Sequence, residues 1–208
     1  MSGALSKDNL VRYAVEALLI VFSVLLALYL DRMLEDRREA RAVEDLLGHV
    51  ADEMRSNLAI LDEWLPYHEA VVTALDQHLA SGKLRSSLVA NGSIDYLRLM
   101  ERGVLQDFYS TSSWRIAEQS ESTSRIGFDV VHALSVAYGS QAFVDKTLER
   151  VSDFFFDRQS LDPAMVQQSL GILRNLMQEL AGQEVVLRQH YRVALAEVEA
   201  LLQVDDAR

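Results

Sequence analysis

The chain of 208 residues contains no cysteine, so it has no disulfide, no thiolate nucleophile and no Cys-based zinc site. Prolines number two and glycines nine. That scarcity disfavours the turn-rich sandwich and barrel classes and favours long helices. Basic residues are outnumbered by acidic ones, 20 to 31, for a net charge of −11. An acidic surface repels a phosphate backbone, which sets nucleic acid aside as a partner. Glycine-rich phosphate loops, Gly-x-Ser-x-Gly elbows and His-x-x-x-His or His-Glu-x-x-His pairs are missing as well. The expectation is therefore a protein without enzymatic activity, cofactor or metal.

What the chain does have is one long apolar run, Val11 to Leu30. Twenty residues rising about 1.5 Å each span roughly 30 Å, the thickness of a bilayer's hydrocarbon core. Only Arg12, at its edge, and Glu16 carry formal charge within it. A cleavable signal sequence would end at small residues, whereas this run ends in Leu28, Tyr29 and Leu30. The sequence thus predicts a short polar tail (1–10), a transmembrane helix (11–30) and a helical soluble domain (31–208).

Within the span, Glu16, Ile20, Ser23 and Ala27 recur at four, three and four residues and share one helical face. Ser23 and Ala27 form a small-xxx-small pair that lets a second helix approach closely in lipid. A carboxylate inside a span turns towards a partner, a cavity or the interface. Two roles for Glu16 follow: contact with another helix, or an intrahelical ion pair with Arg12.

Beyond the span, a run of alternating acids and bases reads as a solvated helical surface. Leu47, Val50, Met54, Leu58, Leu61, Leu65, His68, Val72, Leu75 and Leu79 then follow at three- and four-residue spacing. No breaker separates them from the span, which predicts a stalk helix over 31–81 with a kink at Pro66. Further long helices are expected over 129–156 and 162–203, the last beginning at the Asp162-Pro163 start signal. Short helices are expected over 93–102, capped by Ser93, and over 113–120. The predicted fold is all-α: a transmembrane helix continuing into a long stalk, packed with further helices as an elongated antiparallel bundle.

Of the five histidines, His49 lies four residues before Glu53 in a common surface pairing, and His68 sits on the apolar stripe as a core histidine. Trp64, Trp114, Tyr138 and Phe154 to Phe156 are expected in the core.

The stretch YAVEALLIVFSVLLALYLDRMLEDRRE resembles the start of a family of uncharacterised bacterial single-pass membrane proteins, known only as a domain of unknown function. The shared features are Glu16, a small residue at Ser23, Ala27-Leu28, Asp31 and the run Glu35-Asp36-Arg37-Arg38. Met33 stands where that family often has Trp. The resemblance implies a bacterial inner-membrane protein with an exported domain. The arginines after the span, counted alone, would place the domain in the cytoplasm. Interleaved acids offset them, and the reading adopted is periplasmic. The functional expectation is a membrane-anchored helical interaction module that touches lipid and self-associates or joins another integral membrane protein. The alternatives are a sensor-like ligand-binding domain with a separate signalling partner, and an accessory subunit with a proton-responsive Glu16.

Overall fold

A computed structural model describes residues 7–81, 88–103 and 108–206. The protein is all-α apart from one small hairpin. The helices that lie wholly within the described residues are α1 (Lys7–Ser81), α2 (Ser112–Gln119), α3 (Phe128–Phe156) and α4 (Val166–Asp206). The chain divides into two units, Met1–Asp45 and Leu46–Arg208.

In the first unit, α1 carries the only stretch among the described residues long and apolar enough to cross a membrane. A core helix of similar composition would be buried; here the side chains from Glu16 to Ala27 are all exposed.

In the second unit, α1, α3 and α4 pack as an antiparallel helical bundle. Arg55 meets Glu199, Asp62 meets Arg192, His68 meets Glu184 and Asp76 meets Arg174, so α4 runs opposite to α1. Ser140 meets His190, Thr147 meets Gln183 and Arg150 meets Glu179, so α4 also runs opposite to α3. Helices α1 and α3 are therefore parallel, and the connection between them returns along the bundle.

Each helix buries one stripe. On α1 it includes Leu47, Val50, Met54, Leu61, Leu65, His68 and Leu75, as its periodicity predicts. On α4 it runs Leu173, Met177, Leu180, Glu184, Leu187, Tyr191, Ala194 and Val198, an unbroken three-four spacing. Glu184 and Leu187 lie on this stripe, while Val185 and Val186 between them are exposed.

Pro66 lies inside α1 without ending it. Asp162 caps the last helix as expected: its carboxylate accepts from Ala164 N at 2.8 Å, and a 3-10 turn at Pro163–Met165 leads into α4.

The helix expected over 93–102 is not formed. Strands β1 (Val89–Ala90) and β2 (Ser93–Ile94) pair antiparallel, and a 3-10 turn follows at Tyr96–Arg98. Asn91 (φ 52°) and Gly92 (φ 78°) both occupy the left-handed region, which makes a tight hairpin turn and places Ser93 in a strand rather than at a helix cap. The hairpin is fixed from outside by Ile94 N donating to Leu161 O, and by Tyr96 Oη donating to Ser160 O. Phe154 is buried as predicted, but Phe156 is 84% exposed, because α3 ends there and its last turn leaves the packed face.

Candidate functional site

The residues singled out in the span all lie on α1. Glu16 and Ala27 are exposed, and Ile20 is 61% exposed. Ser23 Oγ donates to Leu19 O at 2.8 Å, so its hydroxyl is satisfied within its own helix. Position 23 thus offers a small, closed contour rather than a free donor. The Arg12 side chain lies outside the described residues.

Sequence reasoning missed a second constellation, a layer of buried polar side chains inside the bundle. His68 and Glu184 are both fully buried, with Nδ1 2.8 Å from Oε2 and 3.0 Å from Oε1. Burial pushes the Glu184 carboxyl above its ordinary range, and His68 offsets only part of that. His68 Nε2 has no hydrogen-bond partner among the described residues. The ring lies 5.9 Å from that of Trp64, whose face carries the Arg102 guanidinium at 4.1 Å.

About three turns nearer the start of α1, Asn57 grips the backbone of Ser110 from both sides. Its amide donates to Ser110 O at 2.8 Å and its carbonyl accepts from Ser110 N at 2.8 Å. Asn57 Nδ2 also reaches Tyr191 Oη at 3.2 Å, and Tyr191 in turn donates to Gln141 Oε1 at 2.5 Å. All three helices and the connection therefore meet at Asn57.

Glu53 does the same for α2. The α2 N-cap residue, Thr111, makes no side-chain capping bond. The Glu53 carboxylate supplies it instead, accepting from Ser113 N at 2.9 Å and Trp114 N at 3.3 Å. It also accepts from the hydroxyls of Ser110, Ser112 and Tyr138, at 2.6, 3.0 and 2.8 Å. Burial alone would raise its pKa, but the donors outweigh burial and hold the carboxyl below its ordinary range. The Tyr138 phenol moves upward, from burial first and then from the adjacent Glu53. Trp114 stacks on Tyr138 with centroids 5.4 Å apart. Glu53 is thus buried, while His49, one turn earlier on α1, is exposed.

Chemically, this layer is a cross-link. Its carboxylates are saturated with protein donors or closed off from solvent, and they set the register of the three long helices. An apolar cleft of about 410 Å³ opens on the same unit between the 3-10 turn at Tyr96 and the end of α3, walled by Leu97, Met100, Phe155 and Phe156. No group of three or more potential metal ligands occurs among the described residues.

No family profile, characterised protein or solved structure matches this chain.

Proposed function

We propose that the protein is a non-enzymatic, membrane-anchored interaction module that self-associates or joins another integral membrane protein through the Glu16, Ile20, Ser23 and Ala27 face. The observation that carries this reading is an exposed apolar helix of bilayer length with a small, hydrogen-bond-saturated contour at Ser23 and a carboxylate one face-repeat away. In this reading residues 11–30 lie in the bacterial inner membrane and the bundle lies in the periplasm. The test uses the absence of native cysteine. A single Ser23→Cys, oxidised in native membranes, gives a disulfide-linked product whose mass identifies a second copy or another protein. Glu16→Leu combined with Ser23→Leu is expected to disperse the assembly in detergent. An assembly of unchanged size in that variant would end this reading.

A second reading, a ligand-binding domain that signals through a separate partner, draws on the apolar cleft beside Tyr96 and Phe155. It expects apolar or aromatic small molecules to raise the thermal stability of the bundle. It is rejected if a broad metabolite screen produces no stabilisation.

A further inference from the structure

The outer surface formed by α3 and α4 carries a rectangle of exposed apolar side chains. Val136 (36%) and Phe143 (67%) lie on α3, and Val193 (46%) and Val186 (50%) lie on α4. The contacts between the two helices fix the levels. Ser140 Oγ is 2.6 Å from His190 Nδ1, so Val136 stands beside Val193 and Phe143 beside Val186, with that hydrogen bond between the two rows. Next to the Phe143 row is a cavity of about 390 Å³, lined by Ser140, Phe143, Gln178, Gly182, Gln183 and Val186. Its opening exists because position 182 has no side chain, and a Cβ built there meets nothing within 4 Å.

Charge on this surface is divided between the helices. The outward stripe of α3, read at three- and four-residue spacing from Phe128 to Arg150, carries His132, Lys146 and Arg150. The facing stripe of α4 carries Glu179 and Glu197. Asp129 and Glu149 fall to the two sides of the α3 stripe. Arg150 stands level with Glu179, at 3.5 Å, and both are about half exposed. His132 stands level with Glu197 in the same antiparallel register.

We propose that this face is the docking surface for a second copy of the chain, with α3 of one copy lying over α4 of the other and the two bundles parallel. It rests on the self-association reading and adds where the bundles meet. A two-fold axis along the α3–α4 groove is the operation that satisfies all the pairings at once. It sets Arg150 against Glu179 of the second copy, His132 against its Glu197, and Val136 against its Val193. Phe143 enters the cavity over Gly182 of the second copy, reciprocally. The axis also places Leu46, where each bundle begins after the span-bearing unit, at the same end of both copies, as two chains in one bilayer require. An antiparallel arrangement would instead set each basic stripe over its own counterpart.

From Phe128 to Arg150 the face is roughly 33 Å long, and two helices of about 10 Å make it roughly 20 Å wide. That gives roughly 650 Å² per copy, below the ~800 Å² of a standard interface. Tethering in one membrane makes up the deficit by raising the effective concentration.

The full chain in native membranes provides the test. Two differently tagged copies are co-expressed, one with Gly139→Cys and the other with Gln189→Cys, and oxidised. The parallel arrangement brings these two positions together, so a disulfide joining the two tags is expected. Gly182→Leu fills the cavity while favouring the helix it sits in, and it is expected to lower the yield at least tenfold. Phe143→Glu is expected to do the same. Disulfides joining like tags (139 to 139, 189 to 189), no disulfide at all, or a yield indifferent to Gly182→Leu would each overturn the proposal. The Ser23→Cys product separates this outcome from the span: if it forms while the 139–189 product does not, the span face stands and the α3–α4 face falls.

Discussion

The pair His68–Glu184 offers the most demanding test of how the bundle is held together. Both side chains are fully buried and hydrogen-bonded to each other, yet His68 Nε2 is left without a partner. Removing one partner leaves an uncompensated polar or charged group in the core, and His68→Leu alone is expected to cost about 3–5 kcal/mol. Replacing both with apolar groups of similar volume, His68→Leu with Glu184→Met, removes the desolvation cost of the pair. It also removes the orphaned nitrogen, which by itself costs ~1–3 kcal/mol. The orphan decides the sign: the double variant is expected to equal or exceed the natural protein in stability. The assay is urea unfolding in detergent followed by tryptophan fluorescence. Trp64 and Trp114 are the only tryptophans and both are buried in the bundle, so the signal is blind to the span. For an m-value of about 2 kcal/mol/M, the single variant lowers the midpoint by roughly 1.5–2.5 M. The pH dependence adds a second readout. The folded-state pKa of Glu184 is raised, so the folded protein holds that proton more tightly than the unfolded chain does. Its ionisation therefore destabilises the fold as pH rises from about 4.3 through the raised value, and this contribution vanishes in the double variant. A single variant costing under about 1 kcal/mol, or a double variant as unstable as the single one, would refute the reasoning.

Two further outcomes are expected. Glu53→Gln keeps the shape but loses the charge that five donors converge on, and it is expected to cost about 2–4 kcal/mol. Because the folded-state pKa of Glu53 is depressed, the stability it confers is present above the ordinary carboxylate pKa and is lost as pH falls through the folded value. Glu53→Gln should flatten that acid limb, and an unchanged acid limb in urea midpoints measured against pH would count against the assignment. Gly92→Ala, at φ 78°, is expected to cost about 1 kcal/mol in the same unfolding assay, through strain in the hairpin turn. A neutral result would mean that the turn is not as tight as described.

Much of this architecture is legible in the sequence, because it depends on local periodicity. The long apolar run of α1, its buried stripe from Leu47 to Leu75 and the Asp162-Pro163 start are all short-range signals. The expected helix over 93–102 failed because Ser93 looks like a helix cap only if Asn91-Gly92 is treated as the end of a connector. The same dipeptide is a hairpin turn once Leu161 and Ser160, more than sixty residues away, supply the hydrogen bonds that fix it. Glu184 was invisible for a related reason. A carboxylate on a core stripe is too costly to place there without a partner, and its partner lies on α1. Glu53 next to His49 resembled a surface pair, whereas its true partners lie at Ser110 to Trp114 and at Tyr138. The polar layer is non-local throughout, and no spacing rule reaches it.

The order of the helices also sets a schedule for synthesis. The buried stripe of α1 is completed by Leu75, but α4, which covers it in the opposite direction, is finished only near Asp206. At ~5–20 residues per second a ribosome needs roughly 6–25 s to make the difference. Throughout that interval an amphipathic segment rich in leucine sits uncovered. Asn57 and His68 interrupt that segment, so they reduce its attraction to other apolar surfaces while its final covering is still being made.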